Sequence, residues 1–171
     1  MNIEVVPHNP DWKRNFEDEK KLLTGRLGTL VARVHHIGST SVPGLAAKPI
    51  IDMILEVPDL ADLDSARRTF LDLGYEVMGE YGIPGRRYFR KGGDRRTHHI
   101  HAFEVGDANV DRHVAFRDYL MAHPAERLAY ENLKIQLARE ADNDIDRYCD
   151  GKEDFVKFHE AKALLWTANA E

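Results

Sequence analysis

The chain has a single cysteine, Cys149, so no internal disulfide can form, and a cytoplasmic protein is the simple expectation. No apolar run approaches the roughly 18 residues needed to cross a bilayer, so no membrane partner is expected. The opening MNIEVVPHNPDWKRNF is polar early and lacks the basic-then-apolar succession of a signal peptide. Positive charge is also in short supply. The formal net charge is −5, which argues against a general nucleic-acid binder. Absent too are Gly-x-x-x-x-Gly-Lys-Ser/Thr, Gly-x-Gly-x-x-Gly and Gly-x-Ser-x-Gly. With no nucleophile context around Cys149, acyl transfer is not expected.

What is present is a chain of 171 residues, 43% hydrophobic and 31% charged. That composition suits one globular domain over residues 1–171 with a real core. Its charge is unevenly spread. Between Arg86 and His101 six basic residues, among them Arg87, face one acid, Asp94, so this window is +5 and the remainder −10. A local anion site is one reading of that segment, and charged strand edges that block aggregation are the other.

Periodicity predicts a helix from Asp11 to about Gly25, a strand over Arg33–Ile37 and a strand over Pro49–Val57. A helix is expected over Asp62–Leu73, capped by Gly74, then strands over Tyr75–Met78, Arg86–Arg90 and Thr97–Phe103. After Asp107 only helices are expected: Asp111–Ala122, Pro124–Ala141 and Lys152–Ala168. In the last of these, Phe155, Phe158, Leu165 and Trp166 form an apolar stripe. The fold class is therefore α+β: a mixed β-sheet of about five strands with flanking helices, sheet-rich to about residue 106 and helical beyond.

The segment His36–Asp52, HIGSTSVPGLAAKPIID, carries the candidate site. A strand ending in Gly38-Ser39, followed by Thr40, Ser41 and a helix start near Val42-Pro43, offers hydroxyls, amides and a helix dipole to a phosphate. A plain helix cap is the alternative. Asp52 stands inside the apolar strand PIIDMILEV, where an unpaired carboxylate is costly. Glu56 is about 13 Å farther along the same face, too far to share one ion with it, and Ile54 fills the position between.

Strand alternation places His99 and His101 on one face, roughly 6–7 Å apart, and His98 on the other. Such a pair can hold a transition metal, or donate to phosphate when protonated; a solvent-facing or core pair is the alternative. Lys48 can reach back to the Gly38-Ser39 turn or simply stay exposed. Arg117 and Asp118 can pair structurally. Tyr130, Lys134, Tyr148 and Lys152 fall on or near helices, where packing or surface roles are expected.

These residues resemble the GrpB family. HIGSTSVPGLAAKPIIDMILEV, HHIH, FRDYLMAHP, YENLKIQLA and the final K-x-x-F helix spread the resemblance over the chain. A similar domain occurs fused to dephospho-CoA kinase. The resemblance implies a nucleotidyltransferase-like fold, in which strand, Gly-Ser, helix and an Asp-x-Asp strand hold two Mg²⁺ or Mn²⁺ ions on a nucleotide. Gly38-Ser39 and Asp52 match that pattern. Ile54 replaces the second acid, and His99 or His101 stands where the third would be, so one ion or a transition metal suits these ligand types better.

The expected function is binding of a nucleotide or other phosphorylated metabolite, with nucleotidyl or phosphoryl transfer if active. Asp52 and His101 would be catalytic; Asp52, His99 and His101 would hold metal. Gly38, Ser39, Thr40, Ser41, Lys48 and Arg87 would bind phosphate. The alternatives are a non-catalytic module that binds a ligand or partner, and a His/Asp metalloenzyme.

Overall fold

In the computed structural model, which describes residues 3–170, the elements run α1 (Asp11–Leu27), β1 (Arg33–Ile37), β2 (Ile51–Val57), α2 (Leu60–Asp64), α3 (Arg67–Asp72), β3 (Tyr75–Val77), β4 (Arg87–Lys91) and β5 (His98–Glu104). Three helices follow: α4 (Ala108–Ala122), α5 (Pro124–Glu140) and α6 (Ile145–Ala170). None of the described helices is long and apolar enough to cross a membrane. The protein is α+β, with one five-stranded mixed sheet in the order β1-β2-β5-β4-β3. Only the β2–β5 pair is parallel, and it sets Asp52 opposite His99 and Ile54 opposite His101.

Alternation along the strands gives the sheet two faces. One carries Met53, Leu55, Phe89 and Ile100 against Phe16 and Leu23 of α1, Leu63 of α2 and Phe70 of α3. The other face carries Asp52, Ile54, His99, His101 and Tyr88. There Ile37, Ile54 and Phe103 pack on Val110 of α4, while Val42 and Leu45 meet Leu120 of α4 and Tyr130 of α5. The C-terminal helices thus cover the face that bears Asp52.

Three local expectations are corrected. No helix starts at Val42-Pro43: Ser39–Ser41 is one turn of 3-10 helix, and Val42 is already extended. The helix expected over Asp62–Leu73 is two short ones, parted at Ser65-Ala66. In α6 the apolar stripe points partly outward, with Phe158 60% and Leu165 67% exposed. Phe155 and Trp166 of that stripe pack inward, on a face of α6 that also buries His159, Glu160 and Ala163 against α4 and α5.

Candidate functional site

Gly38 brings the backbone close to the acid. Its φ of +71° lies in the left-handed region, and a Cβ there would stand 3.2 Å from both Cβ and Oδ2 of Asp52. Only glycine meets both demands without strain. Asp52 Oδ1 is 2.8 Å from His101 Nε2. On the other side of that imidazole, Nδ1 lies 3.2 Å from a guanidinium nitrogen of the buried Arg86. Arginine only donates, so Nδ1 accepts and the proton on Nε2 is donated to Asp52. Burial would push the Asp52 carboxyl upward, but the electrostatic pull and hydrogen bond of the His101 N–H, with the His99 and His113 imidazoles beside it, outweigh it and hold the group well below the usual carboxylate range.

Asp52 opens onto a cavity of about 370 Å³ between the sheet and the three C-terminal helices. Five cationic side chains line it (Lys48, Arg112, Arg117, Lys134 and Lys152) against two carboxylates, Asp52 and Glu160. Three of the cations are spoken for. Arg112 is 3.0 Å from Glu160, Arg117 is 2.9 Å from Asp118 and donates to the His36 carbonyl, and Lys134 donates to the Ala46 carbonyl. Lys48 and Lys152 differ. Their amines sit 5.2 and 4.9 Å from the centroid of the same Tyr148 ring, and no ion pair holds either among the described residues.

Burial depresses the pKa of both amines, as does the charge of Lys152 for Lys48. Burial, with Lys152 and Lys48 nearby, brings Lys134 down to about 7. Burial also lowers His99 and His36 to about 4, leaving both imidazoles neutral near pH 7. The buried Nε2 of His99 has no hydrogen-bond partner.

Of the residues singled out in the sequence, Gly38, Ser39, Thr40, Lys48, Asp52 and His99 line this one cavity. The Thr40 hydroxyl is spent on structure, donating to the Ile50 carbonyl at 3.0 Å and meeting His36 Nε2. Ser41 donates its hydroxyl to the Gly38 carbonyl. Arg87 lies elsewhere. It shares the opposite sheet face with Phe89 and binds Asp64 of α2 through two hydrogen bonds, so Arg86, one residue earlier, is the arginine that reaches His101.

Sequence reading missed Arg112 and His113, read Arg117 as the structural partner of Asp118 that it is, and gave Tyr130, Lys134, Tyr148 and Lys152 packing or surface roles although all of them line the cavity. One signal pointed to them. Lys152, Val156 and Glu160 follow at intervals of four, one helical face carrying charge inward.

The donor set does not fit the pair of divalent ions that the resemblance implies. No group of three His, Cys, Asp or Glu side chains among the described residues is placed to hold an ion. Asp52 already accepts from His101, whose other nitrogen faces a guanidinium, and Ile54 is packed in the core. Hard divalent cations need several oxygen ligands, and here cations occupy much of the wall.

The fold and site define an α+β protein with a cation-lined cavity at the end of its parallel strand pair. The family model described as GrpB protein matches residues 2–162, and the chain belongs to the GrpB family. It is 43% identical over 164 residues to the UPF0157 protein YqkA of Bacillus subtilis, covering 96% of this chain and 48% of that one. It thus spans about half the length of that relative. A dephospho-CoA kinase of Mycolicibacterium paratuberculosis is 29% identical over 96% of this chain and 46% of its own. The crystal structure of conserved protein GrpB from Enterococcus faecalis superposes with a TM-score of 0.93 at 43% identity, covering 96% of this chain and 99% of that one.

Proposed function

We propose that the cavity binds a phosphate-bearing small molecule, a nucleotide or another phosphorylated metabolite. The observation that carries this reading is the pair of unpaired, half-buried amines, Lys48 and Lys152, set over one tyrosine ring. Two desolvated ammonium groups repel each other, and a doubly charged anion between them relieves that repulsion. The cavity volume falls at the lower end of the range for small-molecule sites, about 300–1,000 Å³. Ser39 and the backbone at Gly38 form its floor, and ionised Asp52 offers an acceptor to a ligand hydroxyl. The reading is of binding. For nucleotidyl or phosphoryl transfer through two metal ions, the chain offers one strand carboxylate where two would be needed.

Calorimetric titration with inorganic phosphate, ribose 5-phosphate and nucleoside mono- and triphosphates tests it. At least one probe should bind, and Lys48→Ala and Lys152→Ala should each weaken it roughly 10- to 100-fold, the worth of a charged hydrogen bond. Near pH 7 binding should take up protons, since an anion in the cavity raises the pKa of Lys134 from about 7, and the heat should vary with the ionisation enthalpy of the buffer. No binding of any probe, or full affinity in both variants, would overturn the reading.

A further inference from the structure

Tyr81 sits in the loop between β3 and β4 with a φ of +49°, a conformation that a bulky side-chain-bearing residue seldom adopts. Gly79, Gly82 and Gly85 in the same loop also have positive φ, so glycine is at hand for such turns and tyrosine stands here instead. Core burial does not explain the choice, because the residue is 56% exposed. Its ring lies nearly parallel to that of buried Tyr88, 12° between planes and 5.3 Å between centroids. Tyr88 in turn lies 5.7 Å from the ring of His99, which lines the cavity, and 5.4 Å from that of His101.

One buried arginine ties this stack to the acid. Arg86 donates to the carbonyls of Glu80 and Tyr81 at 3.1 and 2.9 Å, and to His101 Nδ1, while its guanidinium stands 4.9 Å from the Tyr88 ring. The guanidinium of Arg90, which also holds Glu76, lies 5.6 Å from the ring of Tyr81.

We infer that the Tyr81–Tyr88 stack is a second subsite, which takes the planar heteroaromatic ring of a ligand whose phosphate lies in the cavity. The inference rests on the phosphate reading above and adds the chemistry of the ligand's other end. An exposed ring fixed by its neighbour and flanked by guanidinium groups suits an electron-rich planar partner, and stacking of that kind accepts any base because every base has a π-face. Arg86 holds the loop through its carbonyls, so the platform is fixed before ligand arrives.

The test compares ribose 5-phosphate with the four nucleoside 5′-monophosphates on the parent chain, Tyr81→Phe and Tyr81→Gly. Glycine accepts the positive φ, so Tyr81→Gly should keep or raise the melting temperature while removing the ring. Parent and Tyr81→Phe should bind the nucleotides about tenfold or more tightly than ribose 5-phosphate, with little choice among bases. Tyr81→Gly should lose that preference and keep its affinity for ribose 5-phosphate. Equal binding of sugar phosphate and nucleotides by the parent, or an unchanged preference in Tyr81→Gly, overturns the subsite and leaves the phosphate reading standing. Failure of every probe to bind the parent overturns both.

Discussion

Gly38 and Asp52 constrain each other through a single contact: the backbone of one lies where a methyl group would meet the carboxylate of the other. Gly38→Ala should therefore lower stability by about 1–3 kcal/mol in urea unfolding, from backbone strain together with displacement of the Asp52 side chain. A stability within about 0.5 kcal/mol of the parent would show that the contact relaxes freely. At this scale much was legible. A carboxylate amid Ile50, Ile51, Met53 and Ile54 declares itself, because burying it unpaired is costly, and alternation put His99 and His101 on one face. Arg86 and Arg87 were harder to tell apart. A one-residue change of register reverses the face, and the sequence of β4 does not say which arginine looks toward Asp52.

Among the elements, α5 takes hold of the loop before β2 by both backbone groups of one residue. Ala46 donates its N–H to Glu131 at 2.7 Å, and its carbonyl accepts from Lys134. That grip positions the segment that ends in Lys48. Glu131→Ala leaves the Ala46 amide without its partner and should cost about 1–3 kcal/mol, the penalty of an unmet buried donor. It should weaken phosphate binding as well, which Glu131→Gln should partly restore. Wild-type stability in Glu131→Ala would remove the grip from the account. The elements themselves were largely readable: β1 keeps the expected bounds, and α5 starts at Pro124. The single turn at Ser39–Ser41 was not, since Gly-Ser-Thr-Ser opens a short turn as readily as a long helix. Nor was the rotation of α6. Its largest apolar side chains suggested one buried face, and the fit against α4 and α5 kept Phe155 and Trp166 inward but left Phe158 and Leu165 outside.

For the molecule as a whole, the neutral imidazoles make acid the weak side of the stability profile. His36 and His99 have folded pKa values of about 4, depressed from 6.5 by burial. Between those values the unfolded chain binds more protons than the folded one, so stability is present at pH 7 and is lost as pH falls toward 4. The depressed Asp52 adds its own loss only below about pH 4. The melting temperature should be about 5–10 °C lower at pH 5 than at pH 7, with the drop reduced in His36→Gln and His99→Gln. An equal melting temperature at both pH values, or an unreduced drop in both variants, would contradict this. By itself the sequence determined the fold class, most strand and helix positions, the family motif and the odd carboxylate, because those rest on local periodicity and on the cost of burying charge. Only the tertiary structure decided that β2 and β5 run side by side, that Lys48 and Lys152 share one ring, and that His101 joins Asp52 to Arg86. These contacts join residues far apart in the chain, and their distances depend on how the helices close over the sheet.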